Sequence, residues 1–170
     1  RKKKATLFDQ RFLNMKFFLR TFGCQMNELD SELVAQKLTR SGFAEVDSPY
    51  LADVVIVNTC AVREKAEKRA IKFISDWKKR GKFTVALGCV AQLLGKELKE
   101  RGADLVFGPR SYGRIDEVLR DCLEGSVKSS VFVDGEKAIT FTDLSLRREI
   151  KEGEFSAYIT IQEGCDKVCT

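Results

Sequence analysis

The chain of 170 residues contains no histidine. That absence excludes an imidazole general base and every zinc site that uses a histidine ligand. Long hydrophobic runs are also missing. The apolar stretches are strand-sized, as in Val54–Val57 and Phe83–Leu87, and none approaches the ~20 residues that a membrane span requires. The basic N-terminus is not followed by an apolar run, so no secretory signal is expected, and the expected setting is cytoplasmic with no membrane partner. With 44% hydrophobic and 32% charged residues, the composition is that of a soluble globular chain with a sizeable core, neither disordered nor membrane-bound.

The net charge of +5 is unevenly placed. Residues 1–20 carry seven Lys or Arg against one Asp, and the rest of the chain is close to neutral. The basic character is therefore a tail, Arg1-Lys2-Lys3-Lys4, plus local patches. Such a tail reads either as a solvated end or as a contact to nucleic acid.

The dominant pattern is strand followed by helix, repeated. Lys16–Phe22 reads as a strand, and the spacing of Leu29, Leu33, Val34 and Leu38 predicts a helix over 28–41, capped by Asn27 and stopped at Gly42. Phe43–Val46 reads as a short strand, and Asp53–Asn58 as a buried parallel one. A helix over 61–80 places Ala66, Ala70, Ile74 and Trp77 on one face. A strand at Phe83–Leu87, a helix over about 90–101, a strand at Asp104–Phe107 and a helix over 111–123 follow. Five such repeats predict an α/β fold: an open parallel five-stranded sheet with helices on both faces and the flavodoxin-like order 2-1-3-4-5. That unit spans residues 15–124, behind the basic tail of residues 1–14. Residues 125–154 read as a hairpin, with arms at Ser130–Val133 and Ala138–Phe141, and a linker. Residues 155–170 read as the opening strand of a second, truncated domain.

Six cysteines are present, at 24, 60, 89, 122, 165 and 169. In a chain without a signal they read as reduced thiols used as ligands. Cys24, Cys60 and Cys89 follow the first, third and fourth strands, which the predicted order makes neighbours. All three thiols then lie at the carboxyl edge of the sheet, beside the switch point where such folds bind ligands, within roughly 10 Å of one another. Three thiolates without histidine suit an iron–sulfur cluster, with zinc as second choice; unrelated buried cysteines remain open at this point. Cys165 and Cys169 can approach one metal from a single loop. Cys122 fits the apolar face of the last helix. The helix after Cys60 is rich in cations, and Arg63, Lys65 and Arg69 are candidate phosphate contacts; the alternative is a solvated charged face.

Three segments carry a resemblance: Thr21-Phe22-Gly23-Cys24-Gln25-Met26-Asn27, Asn58-Thr59-Cys60-Ala61-Val62-Arg63-Glu64-Lys65-Ala66, and Gly88-Cys89-Val90-Ala91-Gln92. Together they resemble the N-terminal domain of the radical S-adenosylmethionine methylthiotransferases. Cys165-Asp166-Lys167-Val168-Cys169-Thr170 is similar to the start of that family's C-x3-C-x2-C motif. The Cys-Gln-Met-Asn segment and the Arg-Glu-Lys-Ala run resemble the branch acting on N(6)-isopentenyladenosine in tRNA. The branches acting on threonylcarbamoyladenosine or on a ribosomal protein are the alternatives.

The resemblance implies two 4Fe-4S clusters in the full-length enzyme. Cys24, Cys60 and Cys89 match the ligands of an auxiliary cluster that takes part in sulfur delivery. Cys165 and Cys169 match two of three ligands of the radical cluster, which with S-adenosylmethionine and an electron donor generates a 5′-deoxyadenosyl radical. The third of those cysteines, the remaining radical barrel and the RNA-binding TRAM domain are absent from the sequence, so the chain alone is expected to be inactive. A stand-alone iron–sulfur or electron-transfer module is a competing reading. A nucleotide binder is disfavoured because no glycine-rich phosphate loop follows the first strand.

Overall fold

The computed structural model describes residues 15–62, 64–109, 111–127 and 130–133. Strands β1 (Lys16–Phe22), β2 (Ala44–Glu45), β3 (Val54–Thr59), β4 (Phe83–Gly88), β5 (Leu105–Phe107) and β6 (Ser130–Phe132) form one sheet in the order β2-β1-β3-β4-β5-β6. Every pairing in it is parallel. Helices α1 (Gln25–Arg40), α2 (Glu64–Lys79), α3 (Cys89–Glu100) and α4 (Ile115–Leu123) follow β1, β3, β4 and β5. Among the described residues no helix is long and apolar enough to cross a membrane.

Alternation along the strands explains the two layers. Val54 and Ile56 face α1 and α4, meeting Val34, Leu38, Ile115 and Leu119. Val55 and Val57 face α2 and α3, meeting Ala70, Ile74, Trp77, Val90 and Leu98. All six residues of β3 are buried, as a central parallel strand covered on both faces requires. Each Val- to Leu-sized side chain buried this way contributes about 1.5–3 kcal/mol. Cys122 is half-buried against the α1/α4 side of the core, as expected.

The expected order 2-1-3-4-5 is present, extended by a sixth strand. The segment expected as the first arm of a hairpin pairs in parallel with β5, through Leu105↔Ser130 and Phe107↔Phe132. The Phe107 and Phe132 rings stack at 5.0 Å and give this short edge its apolar contact. The second arm at 138–141, the strand at 155–162 and the basic tail of residues 1–14 lie outside the described residues.

A second correction concerns the start of α1. The helix begins at Gln25, and its cap position is Cys24, not Asn27. Asn27 occupies the third helical position, is 2% exposed, and has been drawn inward to serve the site below.

Candidate metal centre

The register of the central strands aligns the ends from which the cysteines leave. Phe22 pairs with Thr59, and Thr59 with Gly88. Cys60 and Cys89 each follow that row by one residue, and Cys24 follows it by two. Cys24 is exposed at the N-cap of α1, Cys89 is exposed as the first residue of α3, and Cys60 is buried between them. Cys24 and Cys89 thus each stand at the N-terminus of a helix.

The thiols feel one another. Burial pushes the Cys89 thiol above its usual range, and the Cys60 and Cys24 thiols and Asp30 push it further, against a backbone hydrogen bond from Ala61. Negative charge on Cys89 is therefore disfavoured unless a cation offsets it. Tyr112, 1% exposed, lies in the same environment: burial, Asp30 and Cys89 raise its phenol well above the usual range. Among the described residues, no three His, Cys, Asp or Glu side chains converge closely enough to hold a single metal ion.

Beneath the cysteines runs a buried carboxamide network that tertiary structure alone assembles. Asn27 Oδ1 accepts from the Cys24 backbone N–H at 3.2 Å and from the Cys24 thiol at 3.3 Å. Asn27 Nδ2 donates to Asn58 Oδ1 at 3.0 Å and to the Thr59 carbonyl at 3.2 Å. Asn58 Nδ2 donates back to the Asn27 carbonyl at 2.8 Å and to Ser31 Oγ at 3.0 Å. Thr59 Oγ1 donates to the Leu87 carbonyl and accepts from the Ala91 N–H. The loops bearing Cys24, Cys60 and Cys89 are thus joined by neutral side chains whose polar atoms are all engaged. Gly88 closes the packing: at φ +97°, a Cβ there would lie 2.3 Å from the Thr59 carbonyl oxygen and 2.5 Å from Asn58 Oδ1.

Lys65 and Arg69 are exposed on the first turns of α2, and Glu64 pairs with Lys68 at 2.6 Å. Arg63, Cys165 and Cys169 lie outside the described residues.

Residues 16–108, more than half of the chain, match the family described as Uncharacterized protein family UPF0004. The chain belongs to that family. The matched segment contains all three rim cysteines and the carboxamide network. The chain is 41% identical over 160 residues to a protein of Thermotoga petrophila named tRNA-2-methylthio-N(6)-dimethylallyladenosine synthase, covering 92% of this chain and 35% of the relative. Proteins of the same name from Thermosipho africanus and Acidithiobacillus ferrooxidans are 38% and 40% identical, over 92% and 90% of this chain and 35% of each relative. The chain therefore spans about a third of the length of these curated relatives.

Proposed function

We propose that this chain is the N-terminal part of a radical S-adenosylmethionine methylthiotransferase that converts N(6)-isopentenyladenosine at position 37 of tRNA into its 2-methylthio derivative, and that it works in the cytoplasm. The observation that carries the reading is the row of three thiols at adjacent, registered strand ends. The identity to relatives named for the same product supports it.

The donor set fits a 4Fe-4S cluster. The sulfurs are soft ligands, the chain has no histidine, and the thiols share one electrostatic environment. Around a single zinc, thiolates would sit ~3.8 Å apart at bonds of ~2.3 Å. Three thiols with no histidine in the chain leave a structural zinc short of its usual fourth protein ligand. Cys24, Cys60 and Cys89 would hold the cluster, which when bound would supply the sulfur-delivery chemistry.

The chain's own residues position and shield. Asn27 holds the Cys24 backbone N–H, Asn58 fixes Asn27 to β3, and Tyr112 and Thr59 exclude water from below. Cys165 and Cys169 are assigned to the radical cluster, which would act with S-adenosylmethionine and an electron donor. Lys65 and Arg69, with Arg63, are assigned to phosphate contact.

Iron and sulfide content, with an absorption spectrum after anaerobic reconstitution, tests the reading. Cys24→Ala, Cys60→Ala and Cys89→Ala should each remove most of the iron at the rim, and Cys122→Ala should not. Full iron retention in the triple variant would overturn the assignment.

A further inference from the structure

On the α2 face, next to the short edge strand β2, the structure gathers aromatic rings and arginines from three separate segments. Phe22 packs on Phe73 at 5.6 Å, Phe73 on Trp77 at 5.9 Å, and Trp77 edge-on against Tyr50 at 4.8 Å. Three guanidinium groups lie over this row. Arg20 sits 5.1 Å from the Phe22 ring and 5.2 Å from Phe73. Arg69 sits 5.6 Å from Phe22, and Arg80 lies 5.3 Å from Trp77 and 5.6 Å from Tyr50. Arg20, Arg69 and Arg80 are exposed, and Tyr50 is 65% exposed.

Long arginine stems often lie over core rings for packing alone. The charge pattern argues for more than that here. Elsewhere on the described surface five exposed cations are bonded to carboxylates: Lys68 to Glu64, Lys72 to Asp76, Lys78 to Asp104, Arg101 to Glu97 and Arg114 to Glu117. Exposed Lys16, Lys65, Lys79 and Lys96 have no such bond among the described residues, but none of them lies over a ring as the stripe arginines do. The three arginines of the stripe have no carboxylate bonded to them among the described residues. Asp76, whose carboxyl feels the Arg80 charge, is already bonded to Lys72 at 2.7 Å. Planar guanidinium groups stacked on rings keep their N–H edges free for phosphate oxygens, and an exposed tyrosine offers a stacking face to a base.

We infer that the Arg20–Arg69–Arg80 stripe, with Tyr50, is a docking track for single-stranded RNA, leading the strand toward the cysteine rim. The inference rests on the functional reading above. It adds a place: the stripe ends at Phe22, two residues before Cys24. Alternating cations and rings match a nucleic-acid backbone better than an acidic peptide, which needs no stacking face.

The test uses the chain itself with a fluorescent RNA hairpin carrying an unpaired loop, titrated at several salt concentrations. The triple variant Arg20→Ala, Arg69→Ala, Arg80→Ala should bind more weakly and lower the salt slope by about two, since each lost single-strand phosphate contact removes about 0.7. Tyr50→Ala should weaken binding about tenfold with the slope unchanged. A triple variant of equal charge change on paired cations, Lys68→Ala, Lys72→Ala, Arg101→Ala, should leave affinity near that of the parent chain. Circular dichroism confirms that each variant is folded. Equal weakening by both triple variants, no RNA binding by the parent chain, or equally tight binding of an acidic peptide that displaces the RNA would overturn the proposal. A chain that takes up iron but binds no RNA keeps the functional reading and loses this one; a chain that binds RNA along the stripe but takes up no iron does the reverse.

Discussion

The two ends of the sheet are fastened in different ways. At the amino end the fasteners are charged and near solvent. Asp53 accepts from the Lys16 N–H at 2.8 Å, and Asp104 accepts from the Thr84 N–H at 2.9 Å while pairing with Lys78 at 2.6 Å. Lys82 donates to the Ala52 carbonyl at 2.7 Å. At the carboxyl end the fasteners are buried and neutral: Asn27, Asn58 and Thr59 are at most 2% exposed. Charged fasteners tolerate movement and exchange, because water can replace either partner. Buried carboxamides tolerate neither, because an abandoned donor or acceptor bears its full desolvation cost. A neutral network also fixes the position of three thiols without adding charge beside them. The fasteners at the carboxyl end are thus neutral, although Asp30 lies close enough for its charge to be felt at Cys89 and Tyr112.

Two glycines sharpen the comparison most. Gly81, beside the amino end of β4, has φ +78° and open space where a Cβ would go. Gly88, at the carboxyl end of the same strand, has a similar φ but is walled by the Thr59 carbonyl and the Asn58 side chain. Gly81→Ala should cost only the backbone strain, about 1 kcal/mol. Gly88→Ala should add a backbone clash and cost about 3 kcal/mol or more. Urea unfolding of both variants checks this, and equal losses would mean that the carboxyl end yields as easily as the amino end.

Next in size is the carboxamide pair. Asn58→Ala should lose about 2 kcal/mol, because it removes one of the two bonds of Asn27 Nδ2 and the bonds to the Asn27 carbonyl and Ser31. Asn27→Ala should lose a similar amount, and the double variant less than the sum by about 1 kcal/mol, since both act on one network. Additive losses in the double-mutant cycle would show two independent residues.

Much of the fold was legible in the sequence because its signals are local. The β-branched run at 54–57 and the amphipathic face of Ala70, Ile74 and Trp77 needed only periodicity, and right-handed crossovers then ordered five strands. The strand at 130–133 was legible, but as a hairpin arm; its parallel pairing with β5 was not, because a short strand carries no signal of its partner, and the Phe107–Phe132 stack shows where it goes. The site divides in the same way. Three cysteines after three strands announce a shared edge. Asn27 misleads, because an asparagine at a helix start usually caps it, and its turn toward Asn58 depends on a partner 31 residues away. The arginine stripe was equally hidden, since Arg20, Tyr50 and Arg80 meet only after β1 and α2 pack.

The α1–α4 seam lies between the two extremes, being charged like the amino end and largely buried. Asp116 accepts from Ser41 Oγ at 2.6 Å and pairs with Lys37 at 3.1 Å. Burial raises its carboxyl, but the hydrogen bonds from Ser41 and Lys37 and the Lys37 charge outweigh that and hold it below the usual range. A lowered folded-state value stabilises above the unfolded carboxylate pKa of about 3.9, and the gain is lost as pH falls through the lowered value. Asp116→Asn should therefore cost about 1 kcal/mol at neutral pH and progressively less in acid. A loss that stays constant down to the acid limit would assign the effect to shape and not to charge.

The smallest effect belongs to the amino end. Lys78 is 44% exposed and Asp104 17%, so water and salt screen the pair from one side. Asp104 also keeps its bond to the Thr84 N–H when Lys78 is removed, so no buried acceptor is stranded. Lys78→Ala should cost at most about 0.5 kcal/mol, and less still at high salt. Asp104→Ala should cost more than Lys78→Ala, because it also strands the Thr84 N–H. If Lys78→Ala instead matches Asn58→Ala, and salt leaves its loss unchanged, the amino end is as rigidly fastened as the carboxyl end, and the distinction between exchangeable and fixed fasteners fails.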